Sequence, residues 1–195
     1  MILNSNDLAL RYSGYTDIKG KIRREVQNGN LIPIVRGLYE TDANTEGKYL
    51  AGSIYGPSYL SFDYMLSEYS LIPEGVQRTY TSATFHKGRV KRYENSFGCY
   101  TYRDVPDAVY SLGVQIITES GYSYQVASPE KTLCDKLYSL PPVKNGKAFK
   151  SLLFENLRID GSAFWGLNFE DIKILAPLYR ANNLKFLLKF IVGGR

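Results

Sequence analysis

One apolar stripe constrains the beginning of this chain more than any other feature of the sequence. Apolar residues recur there every four positions, which places them on one face of a helix. They are Ile18, Ile22 and Val26. Thr16 or Asp17 can cap this helix at its start, and Gly29 is the type of residue that ends one. The sequence therefore predicts an amphipathic helix from about 17 to 28.

The segments on either side of this helix are also short and regular. Ser5 can cap a preceding helix that reaches about Tyr12, and the SerGly pair at 13 and 14 breaks it. After the amphipathic helix, ArgGly at 36 and 37 separates two apolar segments at 31–35 and 38–41, which predicts two strands joined by a tight turn. Helix, turn, basic helix and hairpin in this order are typical of a winged helix-turn-helix.

The face of the amphipathic helix opposite the apolar stripe is basic and polar. A helix fits the major groove of DNA, where cationic and amide side chains reach phosphates and base edges. An arginine at the tip of the hairpin would contact the backbone as a wing. The candidate DNA-binding residues are Lys19, Lys21, Arg23, Arg24, Gln27, Asn28 and Arg36. A solvated helix face would carry similar side chains, and the hairpin that follows favours DNA binding.

The remainder of the chain predicts an α+β protein with a larger second domain at 48–195, which the polar segment 41–48 separates from the short winged helix-turn-helix domain at 1–41. Helices are predicted at about 61–70 after a Ser61 cap, from Ser128 onward, and at 147–158, 169–180 and 184–192. Strands are predicted at about 77–84, 89–94, 97–103, 114–119 and 122–127. Their close spacing favours an antiparallel sheet, followed by a helical C-terminal part.

A second basic segment lies among aromatic residues between 78 and 103. Its cations are Arg78, Lys87, Arg89, Lys91 and Arg92. Cations among aromatic side chains such as Tyr100 and Tyr102 can bind single-stranded nucleic acid by stacking, or can contact an acidic protein. Lysine and arginine on an exposed strand also protect a sheet edge from aggregation, and this structural interpretation is the stronger one.

Few residues in this chain could support catalysis or hold a metal. His86 is the only histidine, which excludes sites with two imidazoles, and we expect it to be a surface or capping residue. Cys99 and Cys134 lack CxxC spacing, so neither a disulfide framework nor a zinc site is expected, and Cys134 should be buried. Phosphate-binding glycine motifs and clustered aspartates are missing. The sequence thus predicts a protein that is not an enzyme and uses no cofactor.

Charge and hydropathy indicate the compartment and the kind of partner. Lysine and arginine total 24 against 19 aspartate and glutamate residues, and the net charge of +5 suits a polyanionic partner without requiring one. No signal-peptide pattern and no apolar segment of membrane-spanning length occurs. With the low use of cysteine, these features predict a cytoplasmic protein that does not enter a membrane.

Four stretches of the sequence resemble the AbiEi family of antitoxins, which are also described as transcriptional regulators of an abortive-infection system. They are the basic helix with its GNLI exit at 29–32, RGLY at 36–39, the segment from YLS to LIPE at 59–74 that leads to TYTSAT, and ASPEKTLCDKLY at 127–138. Together they span about 17 to 141. The last stretch is the most specific of the four.

This resemblance implies a cytoplasmic bacterial or archaeal phage-defence protein whose winged helix binds double-stranded DNA at inverted repeats in its own promoter and represses a two-gene operon. The larger domain would oppose a nucleotidyltransferase-like toxin, and the two proteins can act without a stable complex. The residues carried over as DNA contacts are the seven named above on the helix and wing. The alternative is a module that does not bind DNA and neutralises a toxin, or its nucleic-acid substrate, through the C-terminal domain.

One departure from the family pattern favours that alternative. Family members usually have a full helix before the helix-turn-helix pair, whereas here only residues 1–4 precede the first predicted helix. A three-helix core would lose one wall, so we expect apolar surface to be exposed at Leu10, Ile18 or Ile22 unless the C-terminal domain or another subunit covers it. Residues 1–41 would then pack on the second domain instead of moving as an independent unit.

Overall fold

The computed structural model of the protein describes residues 1–193, which form two β-sheets and ten helices. The protein is therefore α+β, as its sequence predicts. The N-terminal sheet has three antiparallel strands in the order β1-β3-β2. They are β1 (Ile2–Asn4), β2 (Ile32–Val35) and β3 (Leu38–Glu40). Two helices, α1 (Ser5–Arg11) and α2 (Ile18–Gln27), connect β1 to β2.

The two N-terminal helices begin at side-chain caps, one of which differs from the prediction. Asp17 caps α2 as expected, because its carboxylate accepts a hydrogen bond from the amide of Gly20 at 2.8 Å. The predicted cap of α1 is wrong by one residue. Asn4 occupies that position and forms a capping box with Asp7. The side chain of each residue accepts a hydrogen bond from the backbone amide of the other. Ser5 is already helical.

The larger sheet is mixed, with six strands in the order β6-β7-β5-β4-β9-β8. The strands are β4 (Tyr59–Leu60), β5 (Thr79–Thr84), β6 (Lys91–Asn95), β7 (Gly98–Asp104), β8 (Val114–Glu119) and β9 (Tyr122–Ala127). Two pairs, β5 with β7 and β4 with β9, are parallel, so the prediction of an antiparallel sheet is wrong for them. Strand β6 lies at the outer edge, so β7 returns beside β5 in the same direction. Strand β4 has only two residues, too few for a sequence pattern, and it separates β5 from β9.

The remaining helices are short. They are α3 (Ala51–Ile54), α4 (Phe62–Glu68), α5 (Asp107–Tyr110), α6 (Pro129–Tyr138), α7 (Gly146–Ser151), α8 (Gly161–Trp165), α9 (Phe169–Leu175) and α10 (Asn182–Gly193). The sequence did not predict α3, α5 and α8, each of which has four or five residues. Segments of 3-10 helix at Gly47–Leu50 and Ala176–Tyr179, and of π-helix at Leu152–Asn156, extend neighbouring helices. The predicted helices at 147–158 and 169–180 each combine one α-helix with such a segment.

Apolar side chains cover both faces of the larger sheet. Because successive residues of a strand point to opposite faces, Tyr59 and Leu60 of β4 belong to different apolar clusters. On one face, strand residues pack against α4, α6, α9 and α10. On the other, Leu60, Tyr100 and Tyr102 pack with the segment around Leu50. The sheet is thus the middle layer of the protein.

The N-terminal sheet packs against this second face. Ile34 of β2 is buried in the same cluster as Leu60 and Tyr100. The side-chain amide of Asn95 in β6 also donates a hydrogen bond to the carbonyl of Ile34 at 3.1 Å. Residues 1–41 therefore share an apolar core with the rest of the chain. The domain boundary between 41 and 48 stays a prediction.

Candidate nucleic-acid interface

A groove of about 410 Å³ lies between α2 and the hairpin of β2 and β3. Three cations from the predicted site line it, namely Lys19 and Arg23 from the helix and Arg36 from the hairpin. Apolar side chains of Ile22 and Val26 form part of its wall. None of the groove's lining residues, all of which lie in the described part of the chain, is acidic. The groove therefore presents positive charge on a partly apolar surface.

Local geometry explains why these three cations meet. Lys19 and Arg23 are four positions apart, so they lie one turn apart on the same side of α2. Arg36 and Gly37 form the turn between the strands, and Gly37 has φ +81°, a left-handed conformation that favours glycine. The hydroxyl of Ser5 donates a hydrogen bond to the Gly37 carbonyl at 3.3 Å. This contact ties the tip of the hairpin to α1 and leaves Arg36 exposed.

The other predicted DNA contacts on α2 do not all share this surface. Counting about 100° per residue from Lys19, Gln27 lies about 80° away, next to the groove, whereas Arg24 and Asn28 lie about 140° and 180° away. All three side chains are exposed. The structure thus brings together Lys19, Arg23 and Arg36, with Gln27 beside them, and separates the rest.

Lys21 is engaged within the protein. Its ammonium group lies 2.6 Å from a carboxylate oxygen of Glu25 and over the rings of Tyr12 and Tyr15, at 5.7 and 5.0 Å from their centroids. The hydrogen bond to Glu25 raises the pKa of Lys21, and the same bond, together with one from Asn30, lowers the pKa of Glu25. The positive charge of Lys21 is therefore balanced locally, which sets it apart from the groove cations.

The expected exposure of apolar surface is confirmed at Leu10, which is 79% exposed on α1. No residue of α2 is fully buried, and its apolar stripe, including Ile18 and Ile22, is half-buried against a small cluster. The buried members of that cluster are Leu3, Leu8, Tyr12 and Leu31. The N-terminal part thus has a small core of its own and is completed by its contact with the larger sheet.

The second basic segment is divided between structural contacts and solvent. The guanidinium of Arg78 donates to the carbonyl of Ser96, and the ammonium of Lys87 donates to the carbonyl of Gly56 at 3.1 Å while lying over the ring of Tyr55. The remaining cations lie on or next to edge strand β6, with Arg89 and Arg92 exposed and Lys91 half-buried. This arrangement agrees with the edge-protecting interpretation.

Two aromatic residues of this segment, Tyr100 and Tyr102, are not available for stacking. Tyr100 and Tyr102 are fully buried beneath the 3-10 segment and α3, and the hydroxyl of Tyr102 donates to the carbonyl of Ala51 at 2.7 Å. A base cannot stack on a ring that the protein already covers on both faces. The expectation that these two rings could bind single-stranded nucleic acid is therefore wrong, because alternation along β7 turns them into the core.

The structure agrees with the expectations that His86 is a surface residue and that Cys134 is buried. His86 is exposed, with its Nε2 atom 3.6 Å from a carboxylate oxygen of Asp107. Its loop is held by Asp104, whose carboxylate accepts from the amides of Lys87 and Gly88. Cys134 is buried, and burial raises its pKa. Within residues 1–193, no group of three or more histidine, cysteine, aspartate or glutamate side chains could hold a metal ion.

A buried charged network in the ASPEKTLCDKLY segment was not predicted. Asp135 and Lys131 are fully buried, and the carboxylate and ammonium groups lie 2.8 Å apart. Asp135 also accepts hydrogen bonds from the hydroxyls of Ser61, Tyr59 and Tyr179, at 2.8, 3.0 and 2.5 Å. Ser61 occupies the N-cap position of α4, as predicted, but its hydroxyl makes no capping hydrogen bond and donates to Asp135 instead. The network joins β4, α6 and the segment after α9.

A lysine four positions before an aspartate on α6 is the one local signal that could have revealed this network. The spacing alone is equally typical of an exposed ion pair. The hydroxyl partners lie 44 to 76 positions away along the chain, so their proximity depends on the tertiary fold.

Comparisons with known proteins do not assign this chain to a family. No protein-family model matches it, and no curated protein sequence matches it. None of the helices in residues 1–193 combines the length and apolar character needed to cross a bilayer. The case for a function therefore rests on the basic groove and on the sequence features described above.

Proposed function

We propose that the protein is a DNA-binding transcriptional regulator of the AbiEi type, an autorepressor and antitoxin whose N-terminal part acts as a winged helix-turn-helix. The observation that carries this proposal is the convergence of Lys19, Arg23 and Arg36 on one groove. Helix α2 would enter the major groove of double-stranded DNA, and Arg36 would contact the adjacent backbone. Gln27, at the rim of the same surface, can read an adenine edge.

Charge supports this use of the groove. Lys19, Arg23 and Arg36 form no ion pair with a side chain of residues 1–193, whereas Lys21 is paired with Glu25. Cations that are already paired release few counterions on binding, while unpaired ones neutralise phosphates and release them. The groove cations are therefore the ones that should determine the affinity for DNA and its salt dependence.

The test is equilibrium binding of the purified protein to a duplex from its own upstream region and to a scrambled duplex, measured by fluorescence anisotropy over a range of salt concentrations. If about three cations meet phosphates, log K should fall against log salt with a slope of about −2.7. Arg36→Ala should weaken binding to both duplexes and reduce the slope by about one unit. If Arg23 contacts a base, Arg23→Ala should weaken the binding free energy by about 1–3 kcal/mol for the specific duplex and leave binding to the scrambled duplex unchanged.

Two matched variants make this experiment decisive. Arg89→Ala removes an arginine that is also exposed but lies outside the groove, and Lys21→Ala removes the cation that is paired with Glu25. Both should leave the salt slope within error of the unmodified protein. Binding that does not depend on salt, or an Arg36→Ala variant that behaves like Arg89→Ala, would contradict the proposal.

The antitoxin activity requires a separate assay. Co-expression with a nucleotidyltransferase-like protein encoded beside this gene should restore growth that the toxin alone arrests. Growth that stays arrested would remove the antitoxin part of the proposal and leave the DNA-binding part unaffected.

A second candidate is a module that neutralises a toxin, or its nucleic-acid substrate, without binding DNA. The burial of Ile34 against the larger sheet favours it, because residues 1–41 can then serve as a structural cap. Under this candidate, alanine at the three groove cations leaves growth rescue intact, whereas Arg89→Glu with Arg92→Glu abolishes it. The opposite pattern counts against this candidate. Point substitutions are preferable to deletion of 1–41, which would uncover Leu60 and its neighbours.

A further inference from the structure

The two outer strands of the larger sheet differ in how they are protected. Edge strand β6 carries Lys91 and Arg92, and Asn95 binds the N-terminal part through the Ile34 carbonyl. The opposite edge, β8, has six residues and a single charged side chain, Glu119, at its end. Ile116, in the middle of β8, is 70% exposed. An unprotected apolar edge of this length is a template for pairing with another strand.

The turn between β8 and β9 determines which backbone amide and carbonyl groups of β8 point away from the sheet. Ser120 and Gly121 have φ of +52° and +81°, and they form a two-residue turn that places Glu119 opposite Tyr122. In such a hairpin, the flanking pair and every second pair after it exchange hydrogen bonds with each other. Glu119, Ile117 and Gln115 therefore bond to β9. The amide and carbonyl groups that point away from the sheet belong to the alternate residues of β8, namely Val114, Ile116 and Thr118.

We propose that β8 is a self-association edge, on which a second copy of this chain adds its own β8 in antiparallel orientation with Ile116 opposite Ile116. This register alone places all three outward-facing residues of one copy opposite those of the other, with Val114 opposite Thr118. It forms about six main-chain hydrogen bonds and joins the two larger sheets into one. Any other register leaves at least one of these residues without a partner.

Side chains and charge favour a second copy over a different partner. The two Ile116 side chains would cover each other, and Val114 with Thr118 forms a β-branched cross-strand pair of the kind that stabilises sheets. The carboxylate of Glu119 forms an ion pair with Lys48 at 3.3 Å and accepts a hydrogen bond from the hydroxyl of Tyr124 at 2.9 Å. In this register Glu119 lies opposite Gly113. No like charges face each other, and the strand offers no charge pattern that would select an acidic or basic partner.

Sedimentation analysis of the full chain tests the association over about a hundredfold range of concentration. The unmodified protein should shift from monomer to dimer as its concentration rises. Ile116→Lys places two ammonium groups opposite each other and should raise the dissociation constant at least tenfold. Val192→Lys introduces the same charge at a site that is 72% exposed on α10 and should have no effect. Thr118→Pro removes an outward amide and leaves the main-chain bonds to β9 in place, although it also removes the hydroxyl contact with Ser123, and it should also weaken the dimer.

Disulfide trapping tests the register. In the Cys99→Ser background, where buried Cys134 is the only other thiol, Ile116→Cys places two thiols on facing residues. Facing hydrogen-bonded residues have Cα atoms about 5.5 Å apart, within the range that a disulfide spans. Thr118→Cys places its two thiols about 13 Å apart and should not cross-link.

The outcomes separate this proposal from DNA binding, because neither assay contains DNA. A protein that stays monomeric at all concentrations overturns the proposal. A dimer that Ile116→Lys and Val192→Lys affect equally, or one in which Thr118→Cys cross-links as readily as Ile116→Cys, overturns it as well.

Discussion

Among the buried polar residues described, we expect substitution of Asp135 to lower the free energy of unfolding the most. Its carboxylate is the common acceptor for Lys131, Ser61, Tyr59 and Tyr179, and it has no exposed surface. Asp135→Ala removes that acceptor and leaves the ammonium group of Lys131 buried, with the Tyr179 hydroxyl 2.7 Å away as its remaining hydrogen-bond partner. An uncompensated charge in the interior is the costly result of such a change.

The magnitude follows from the partners that remain. Removing one member of a buried ion pair costs about 3–5 kcal/mol, a large part of the 5–15 kcal/mol that stabilises a typical protein. Lys131→Met leaves the Asp135 carboxylate with three hydroxyl donors, so it should destabilise less than Asp135→Ala. Replacing both residues by Met and Leu should cost less than the sum of the two single changes, since no unpaired charge remains.

Urea unfolding followed by circular dichroism measures these differences as shifts in midpoint at constant slope. Glu170→Ala is the matched control, because Glu170 pairs with Lys173 on α9 in an exposed setting and should change the free energy of unfolding by less than about 1 kcal/mol. The reasoning is refuted if Asp135→Ala is as mild as this control. It is also refuted if Lys131→Met destabilises the protein more than Asp135→Ala does.

Two further predictions concern alkaline pH and one glycine. Burial raises the pKa of Tyr110 and Tyr124 to about 12. Unfolded tyrosines lose their proton near pH 10, so the stability from these groups is complete below pH 10 and falls as pH rises from there towards 12. Tyrosinate absorbance should therefore appear at higher pH in the folded protein than in urea, and coincident titrations would contradict this. Gly98 has φ +145°, and a Cβ atom there would lie 2.4 Å from the carbonyl oxygen of Arg78. Gly98→Ala should lower the free energy of unfolding by about 1–3 kcal/mol, measured by thermal unfolding. Gly52 has open space around it, so Gly52→Ala should be neutral or slightly stabilising.

Structural features that depend only on residues within about ten positions of one another along the chain could be predicted from the sequence. The four-residue repeat of Ile18, Ile22 and Val26, the Asp17 cap and the ArgGly turn are local, and α2 and the β2–β3 hairpin form where these signals indicate. The hairpin of β8 and β9 was predicted with its bounds for the same reason, since a SerGly turn and two β-rich segments define it.

Features that depend on distant parts of the chain could not be predicted. Strand β4 has two residues, and its position between β5 and β9 decides which pairs are parallel. The separation of Lys21 from the other cations of α2 depends on Tyr12, Tyr15 and Glu25. Sequence periodicity places a side chain on a helix face, but it does not say what that face meets.

The burial of Ile34 between the N-terminal sheet and the larger sheet influences the direction in which the groove faces. The packing of Ile34 and the hydrogen bond from Asn95 join the two parts of the protein directly, in addition to the connecting segment at 41–46, whose Thr45 contacts Tyr122. We therefore expect a change in the length of that segment to rotate the groove little. Conversely, a change of side-chain volume at Leu60 or Tyr100 would shift the surface on which β2 rests, and with it the direction in which Arg36 points. Residues that never approach a ligand of the groove thus set its orientation.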